Sequence, residues 1–119
     1  MSDTRPIYQQ LALGIRDQIG AGTLAEGERA PSTNELSTFH SVNPTTSAKA
    51  LTFLADQGLL EKRRGLGMFV VAGAREQIHR ERRQALAAAF IRPLLREAAA
   101  LGLSDRELDE LIQAERTTP

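Results

Sequence analysis

Two helix starts standing close together in the middle of the chain constrain its fold more than any other feature. Ser32-Thr33-Asn34-Glu35 is a capping box, in which the Ser32 hydroxyl takes the amide of Glu35 while the Glu35 carboxylate reaches back to the cap. The helix it starts, with Leu36 and Phe39 as its buried face, is short and ends near His40. Asn43-Pro44 then starts another, with Asn43 as cap and Pro44 in the first turn, where a missing N–H costs nothing. That helix runs to about Gln57 before Gly58 closes it, and turns Ala50, Leu51, Leu54 and Ala55 inward. Its other side carries Thr45, Thr46, Lys49, Thr52 and Asp56, a face with nothing apolar to hide and therefore free to meet solvent or a partner.

The flanking segments fit around this pair. From Pro6 to Ala21 the residues Ile7, Leu11, Ile15 and Ile19 recur at steps of four, with Tyr8 and Ala12 alongside, which predicts an amphipathic helix with Pro6 in its first turn. Thr23 to Pro31 reads as an exposed connection. Beyond the central helices, Leu59 to Arg63 and Met68 to Val71 predict two short strands joined by Arg64-Gly65-Leu66-Gly67, whose glycines supply the positive φ of a tight hairpin. From Arg75 to Leu101 the pattern is helical and alanine-rich, with Ile78, Leu86, Phe90, Ile91, Leu94, Leu95 and Leu101 as its apolar stripe and a kink or break expected at Arg92-Pro93. A second capping box, Ser104 to Glu107, opens a last helix with Leu108, Leu111 and Ile112 on one side and a fraying end from Thr117 to Pro119.

Composition narrows the chemistry. With 119 residues, 41% of them hydrophobic and 25% charged, the chain has ordinary globular composition and room for one domain, or one small domain with a helical appendage. The absence of cysteine removes disulfides, thiolate catalysis and cysteine-ligated zinc. His40 and His79 lie in different segments, the first expected as a surface or capping residue and the second as a solvated side chain, so neither a metal site nor a histidine dyad is indicated. No phosphate-binding fingerprint occurs, and turn geometry accounts for Gly65 and Gly67. No catalytic residue, cofactor or metal is therefore expected, and the chain does not read as an enzyme. No run approaches the roughly eighteen apolar residues of a membrane span, and MSDTRPIYQQ lacks a secretory leader, so a cytoplasmic protein without a membrane partner is expected. Fifteen basic and fifteen acidic residues cancel, so any case for a polyanionic partner must rest on where the charges sit.

They sit suggestively. Three helices followed by a basic hairpin is the order of a winged helix-turn-helix, which lays the start of its third helix in the DNA major groove and reaches sideways with the hairpin. Asn43, Thr45 and Thr46 have the donors to meet phosphates or base edges, Lys49 lies one turn further on, and Lys62, Arg63 and Arg64 gather positive charge on the wing. Taken singly, Lys49 reads as a solvated lysine and the wing cluster as an edge-strand charge guard. Only the joint arrangement favours DNA. The fold expected is mostly α with a small β-hairpin wing, a winged helix-turn-helix over residues 1–73 followed by a short α-helical dimerisation domain over 74–119.

Pro6-Ile7-Tyr8-Gln9-Gln10, Gly22-Thr23-Leu24, Gly27-Glu28, Pro31-Ser32, Glu35-Leu36, Asn43-Pro44-Thr45-Thr46 and Arg63 to Val70 follow in an order and spacing that resembles the GntR family of bacterial transcription regulators. The tail through Leu101-Gly102-Leu103-Ser104 resembles its YtrA-like branch, whose short two-helix C-terminal region serves dimerisation. The resemblance implies a homodimeric, sequence-specific regulator, read as a repressor, on a palindromic operator in double-stranded DNA. The implied contacts are Ser32, Asn34, Asn43, Thr45, Thr46, Lys49, Arg63, Arg64, Gly65 and Gly67, and the dimerisation residues are Leu86, Phe90, Leu94, Leu101, Leu108 and Leu111. The chain departs from the family in carrying Asn34 where arginine is usual, Ala48-Lys49 where the branch has Ser-Arg, Ser47 where an aliphatic residue is usual, and a wing tip made less polar by Leu66 and Met68. Two other readings stay open on the residues: a winged helix used as a protein-interaction module, and a regulator gated by an unknown small-molecule effector at the dimer interface.

Overall fold

The computed structural model describes residues 4–119; Met1 to Asp3, where the N-terminal stretch read above begins, lie outside them. The elements are α1 (Ile7–Ala21), α2 (Thr33–His40), α3 (Pro44–Asp56), β1 (Leu60–Arg63), β2 (Gly67–Val70), α4 (Ala74–Leu86), a π-helical turn (Ala87–Ile91), α5 (Arg92–Ala100) and α6 (Asp105–Arg116). They form two compact units, one running through Arg80 and the other from Glu81 to Pro119.

In the first unit, α1 buries Leu11, Ala12, Ile15 and Ile19 against a core completed by Leu36, Ala50, Leu51, Leu54, Leu59, Leu60, Val70, Ala74 and Ile78. Pro6 stands just outside α1 as its cap, with an extended backbone (φ −53°, ψ 148°), and not within the first turn. The capping box of α2 forms as expected, with Glu35 N donating to Ser32 Oγ and Ser32 N to Glu35 Oε1, both at 3.1 Å. Asn43 Oδ1 accepts from the Thr45 amide at 2.8 Å and starts α3. Ser47, fully buried on α3, shares a hydrogen bond of 2.8 Å with the Ser37 hydroxyl of α2, which satisfies both groups and joins the two helices from inside.

Phe39 does not join the core. It is 83% exposed, with its ring edge-on to His40 at 4.9 Å between centroids. Three residues beyond Leu36 it stands about 60° round the helix, and on so short a helix that places it past the edge of the buried face.

The strands pair antiparallel in the register Leu60↔Val70, Glu61↔Phe69, Lys62↔Met68 and Arg63↔Gly67. Leu59 and Val71, expected within the strands, lie one residue beyond them and are held by Val71 N donating to Leu59 O at 3.0 Å. The segment read as an exposed connection is in fact fastened to β2. Gly27 N donates to Val70 O at 2.8 Å, Val70 N to Glu28 O at 3.0 Å, and Ala30 N to Met68 O at 2.8 Å, while Arg29 bridges Phe69. Leu24 and Ala30 are buried beneath it.

His79 also departs from expectation. It is half-buried, and its Nε2–H donates to the Gly20 carbonyl at 2.7 Å, an oxygen that Arg75 Nε also reaches at 3.1 Å. The carbonyls at the end of α1 lack helical partners, and α4 supplies them. Gly20 permits the approach, since a Cβ there would stand 3.3 Å from Ile78 Cγ2.

In the second unit the chain stays helical through Pro93. The proline lacks the N–H that an α-helix would use, and the turn before it widens to the π pattern, with Arg92 N donating to Ala87 O. The break expected at Arg92-Pro93 is found as the start of α5 at Arg92, with Pro93 in its first turn and this bulge just before it. After α5, Leu103 N donates to Ala98 O and Gly102 N to Ala99 O, both at 3.0 Å, with Gly102 at φ +70°. This is a Schellman closure. The Ser104–Glu107 capping box starts α6 as expected, and Ala98 and Leu108 are buried in this unit.

Candidate nucleic-acid interface

The start of α3 is exposed, as its sequence requires. Asn43 and Thr45 lie open to solvent, Thr46 is half-buried, and Asn43 still presents its amide nitrogen because only Oδ1 is used as a cap. Lys49, on the same helix, is exposed but not loose: its Nζ stands 4.4 Å from the centroid of the Tyr8 ring. Tyr8 in turn packs edge-on against Phe53, 5.6 Å between centroids, and its hydroxyl accepts from Gln9 Nε2 at 3.1 Å. A cation over an aromatic face has a preferred place, so α1 holds the lysine of α3 at a defined height above the helix.

Beside α3, a cleft of about 420 Å³ opens between the first turn of α2, the middle of α3 and the wing. Ser32, Thr33, Asn34, Thr52, Lys62 and Gly67 line it together with Arg29. Asn34, Lys62 and Gly67, distant in sequence, are thus brought together. The Ser32 oxygen accepts at the cap of α2, which leaves its O–H as a donor. Glu35, which completes that cap, has its carboxyl held below the usual carboxylate range by the Ser32 amide first, then the Ser32 hydroxyl, with a further contribution from the Arg29 guanidinium.

On the wing, Arg63 is held in place. Its guanidinium pairs with Glu61 Oε1 at 3.0 Å and lies 4.2 Å from the Phe69 ring centroid. Arg64, Gly65 and Leu66 form an exposed tip, closed by Leu66 N donating to Arg63 O at 2.9 Å.

In the second unit, Leu86, Phe90, Leu94, Leu101 and Leu111 are all exposed, Phe90 at 68% and Leu101 at 66%. Leu108 differs: at 8% exposure it is already packed within its own chain. Sequence reasoning passed over Tyr8 as one more residue on a helical face and Arg29 as part of a connection. The Gly27-Glu28 signal marks the turn, but nothing local announces the pairing with β2 that aims Arg29 at the cleft. Among the described residues no group of His, Cys, Asp and Glu side chains is gathered as metal ligands would be, and no helix is long and apolar enough to cross a membrane.

Comparison with known proteins agrees with this architecture. Residues 7–70 match the family described as bacterial regulatory proteins, gntR family. The chain is similar to the HTH-type transcriptional repressor YtrA of Bacillus subtilis, 28% identical over 108 residues that span 91% of this chain and 82% of that protein. Among solved structures, a GntR family transcriptional regulator from Listeria monocytogenes superposes with a TM-score of 0.73 at 28% identity, over 96% of this chain and 98% of that one. AraR(DBD), solved in complex with operator ORR3, superposes with a TM-score of 0.56 at 32% identity, over 60% of this chain and 86% of that one. The winged helix and the C-terminal helices both have counterparts, and one of those counterparts was captured on DNA.

Proposed function

Because the chain belongs to the gntR family of bacterial regulatory proteins, a family of DNA-binding transcription regulators, we propose that it acts as a homodimeric repressor on a palindromic operator. The observation that carries this reading is the exposed, polar start of α3 set beside a cation-bearing cleft and a basic wing. Asn43, Thr45, Thr46 and Lys49 read the major groove. Ser32, Asn34, Arg63, Arg64 and the backbone at Gly65 and Gly67 meet the flanking phosphates. DNA reading is assigned to residues 1–73 and dimerisation to residues 74–119. Leu86, Phe90, Leu94, Leu101 and Leu111 supply the dimer surface, and Leu108 supports it from beneath. Such apolar exposure in a small helical unit favours a second copy, and two-fold symmetry sets half-sites about one DNA turn, or 10 base pairs, or a multiple of it, apart. Similarity to YtrA over most of both chains supports repression.

The test is selection of genomic fragments by the purified protein at two salt concentrations, with its mass in solution measured by light scattering. Enrichment of an inverted repeat by a dimer, lost at high salt, is the expected result. A monomer, or no enrichment at low salt, would overturn the reading.

A further inference from the structure

Arg29 lies outside the contact set above, yet its side chain is held at both ends of the cleft. Its backbone bridges Phe69 of the wing, and the next residue, Ala30, donates to Met68 O at 2.8 Å. Its aliphatic stem runs past Gly67, where a Cβ would meet Arg29 Cδ at 3.5 Å and Cγ at 3.7 Å; at φ +110° that position favours glycine in any case. Its head reaches the first turn of α2, with Nη2 3.1 Å from Glu35 Oε1, the oxygen that also receives the Ser32 amide. The wing thus fixes the stem and the cap of α2 fixes one edge of the guanidinium. A guanidinium carries five N–H donors in a planar fork, so an edge contact with one carboxylate oxygen leaves donors to spare. The side chain is half exposed, and the cleft it lines carries two cations, Arg29 and Lys62, and no acidic side chain among its described residues.

We propose that Arg29 is a further DNA contact, donating to a backbone phosphate seated at the mouth of the cleft between α2 and the wing. The inference rests on the reading that this face meets DNA. A phosphate contact of this kind positions the duplex without choosing a base, and its pre-set geometry spares the side-chain ordering that a free arginine would undergo on binding.

The experiment measures binding of the full chain to a mixed-sequence DNA duplex as a function of salt, for the wild type, Arg29→Gln, Arg29→Met and Arg29→Lys, with thermal melts of each. Glutamine and methionine keep a stem to lie against Gly67 while removing the charge. The expected result is a log–log salt slope smaller by about 0.9 in both neutral variants, one phosphate's worth of released counterions, and near the wild-type value in Arg29→Lys. Unchanged slopes in the neutral variants that fold overturn the proposal, whatever happens to their affinity. A wild type that binds the duplex without salt dependence overturns the DNA reading itself, and Arg29's role with it.

Discussion

Lys49 is the residue on which base choice is expected to turn, because the Tyr8 ring beneath its ammonium restricts where the charge can be placed. Lys49→Ala should weaken operator binding by roughly tenfold, within the range of 1–3 kcal/mol for a base contact, and broaden the set of sequences recovered at one position of each half-site. Repeating the fragment selection with the variant checks this; the same operator recovered at lower yield would assign Lys49 to a phosphate. Lys49 was legible as an exposed residue on the polar side of α3, though taken singly it reads as a solvated lysine and only the order of helices and hairpin points to DNA. Arg29 was not, since its position depends on strand pairing between Gly27–Ala30 and β2 that no local pattern announces. His79 escaped for a related reason: it is polar and stands among arginines, so its sequence points outward, and only the Gly20 carbonyl, from another element, makes its partial burial tolerable. Glu35 carries a pH dependence with a definite sign. Its carboxyl is held below the ordinary range by the Ser32 amide, so the capping stabilisation is complete above that range and lost as pH falls through the lowered value. Thermal unfolding followed from neutral to acid pH should therefore show a shallower acid-side decline in Glu35→Gln, from a lower starting stability.

At the scale of elements, the wing separates into a held base and an open tip. Arg63 is engaged with Glu61 and Phe69, whereas Arg64 stands in the exposed turn beside Gly65. Arg64→Ala should lower affinity for all sequences alike and reduce the salt slope by about one, leaving the melting temperature close to wild type. Arg63→Ala should reduce the slope similarly and also loosen the hairpin, seen as faster amide exchange along β1 and β2. Unchanged slopes in both would remove the wing from the interface. The elements themselves were readable to within a residue or so wherever their ends carry their own chemistry: Ser32, Asn43 and Ser104 as caps, and Gly58 and Gly102 as stops, act through bonds made within a few residues. What escaped lacks that locality. Proline chemistry marks a break around Pro93, where α5 starts, but the sequence does not announce that the turn before it, Ala87–Ile91, takes the π pattern.

For the whole molecule the question is which apolar residues belong to the fold and which to the proposed dimer, and two leucines of the second unit differ in exposure. Leu108 is 8% exposed within the single chain, so its side chain stabilises the unit irrespective of any second copy. Leu94 is 42% exposed, as Phe90, Leu86 and Leu101 are exposed too, so in the proposed dimer its burial would come from the second copy. Leu108→Ala should lower the stability of the unit by about 2–5 kcal/mol through lost packing and the cavity left behind. Leu94→Asp should leave the chain folded, because the new carboxylate meets solvent in the monomer, but would have to be desolvated without a counter-charge in the dimer. Light scattering is expected to report half the wild-type mass for Leu94→Asp, with an unchanged circular dichroism spectrum. DNA binding then supplies the sharper reading. A dimer on two half-sites gains from the second contact being intramolecular, an advantage of about 10² to 10⁴ in affinity, which a monomer forfeits. Leu94→Asp should therefore fall towards the affinity of the wild type for a single half-site, and its binding to an isolated half-site should be unaffected. If the variant were monomeric and still bound the full operator as tightly as wild type, the recognition surface would be complete in one chain and the apolar face would have to serve something other than operator binding.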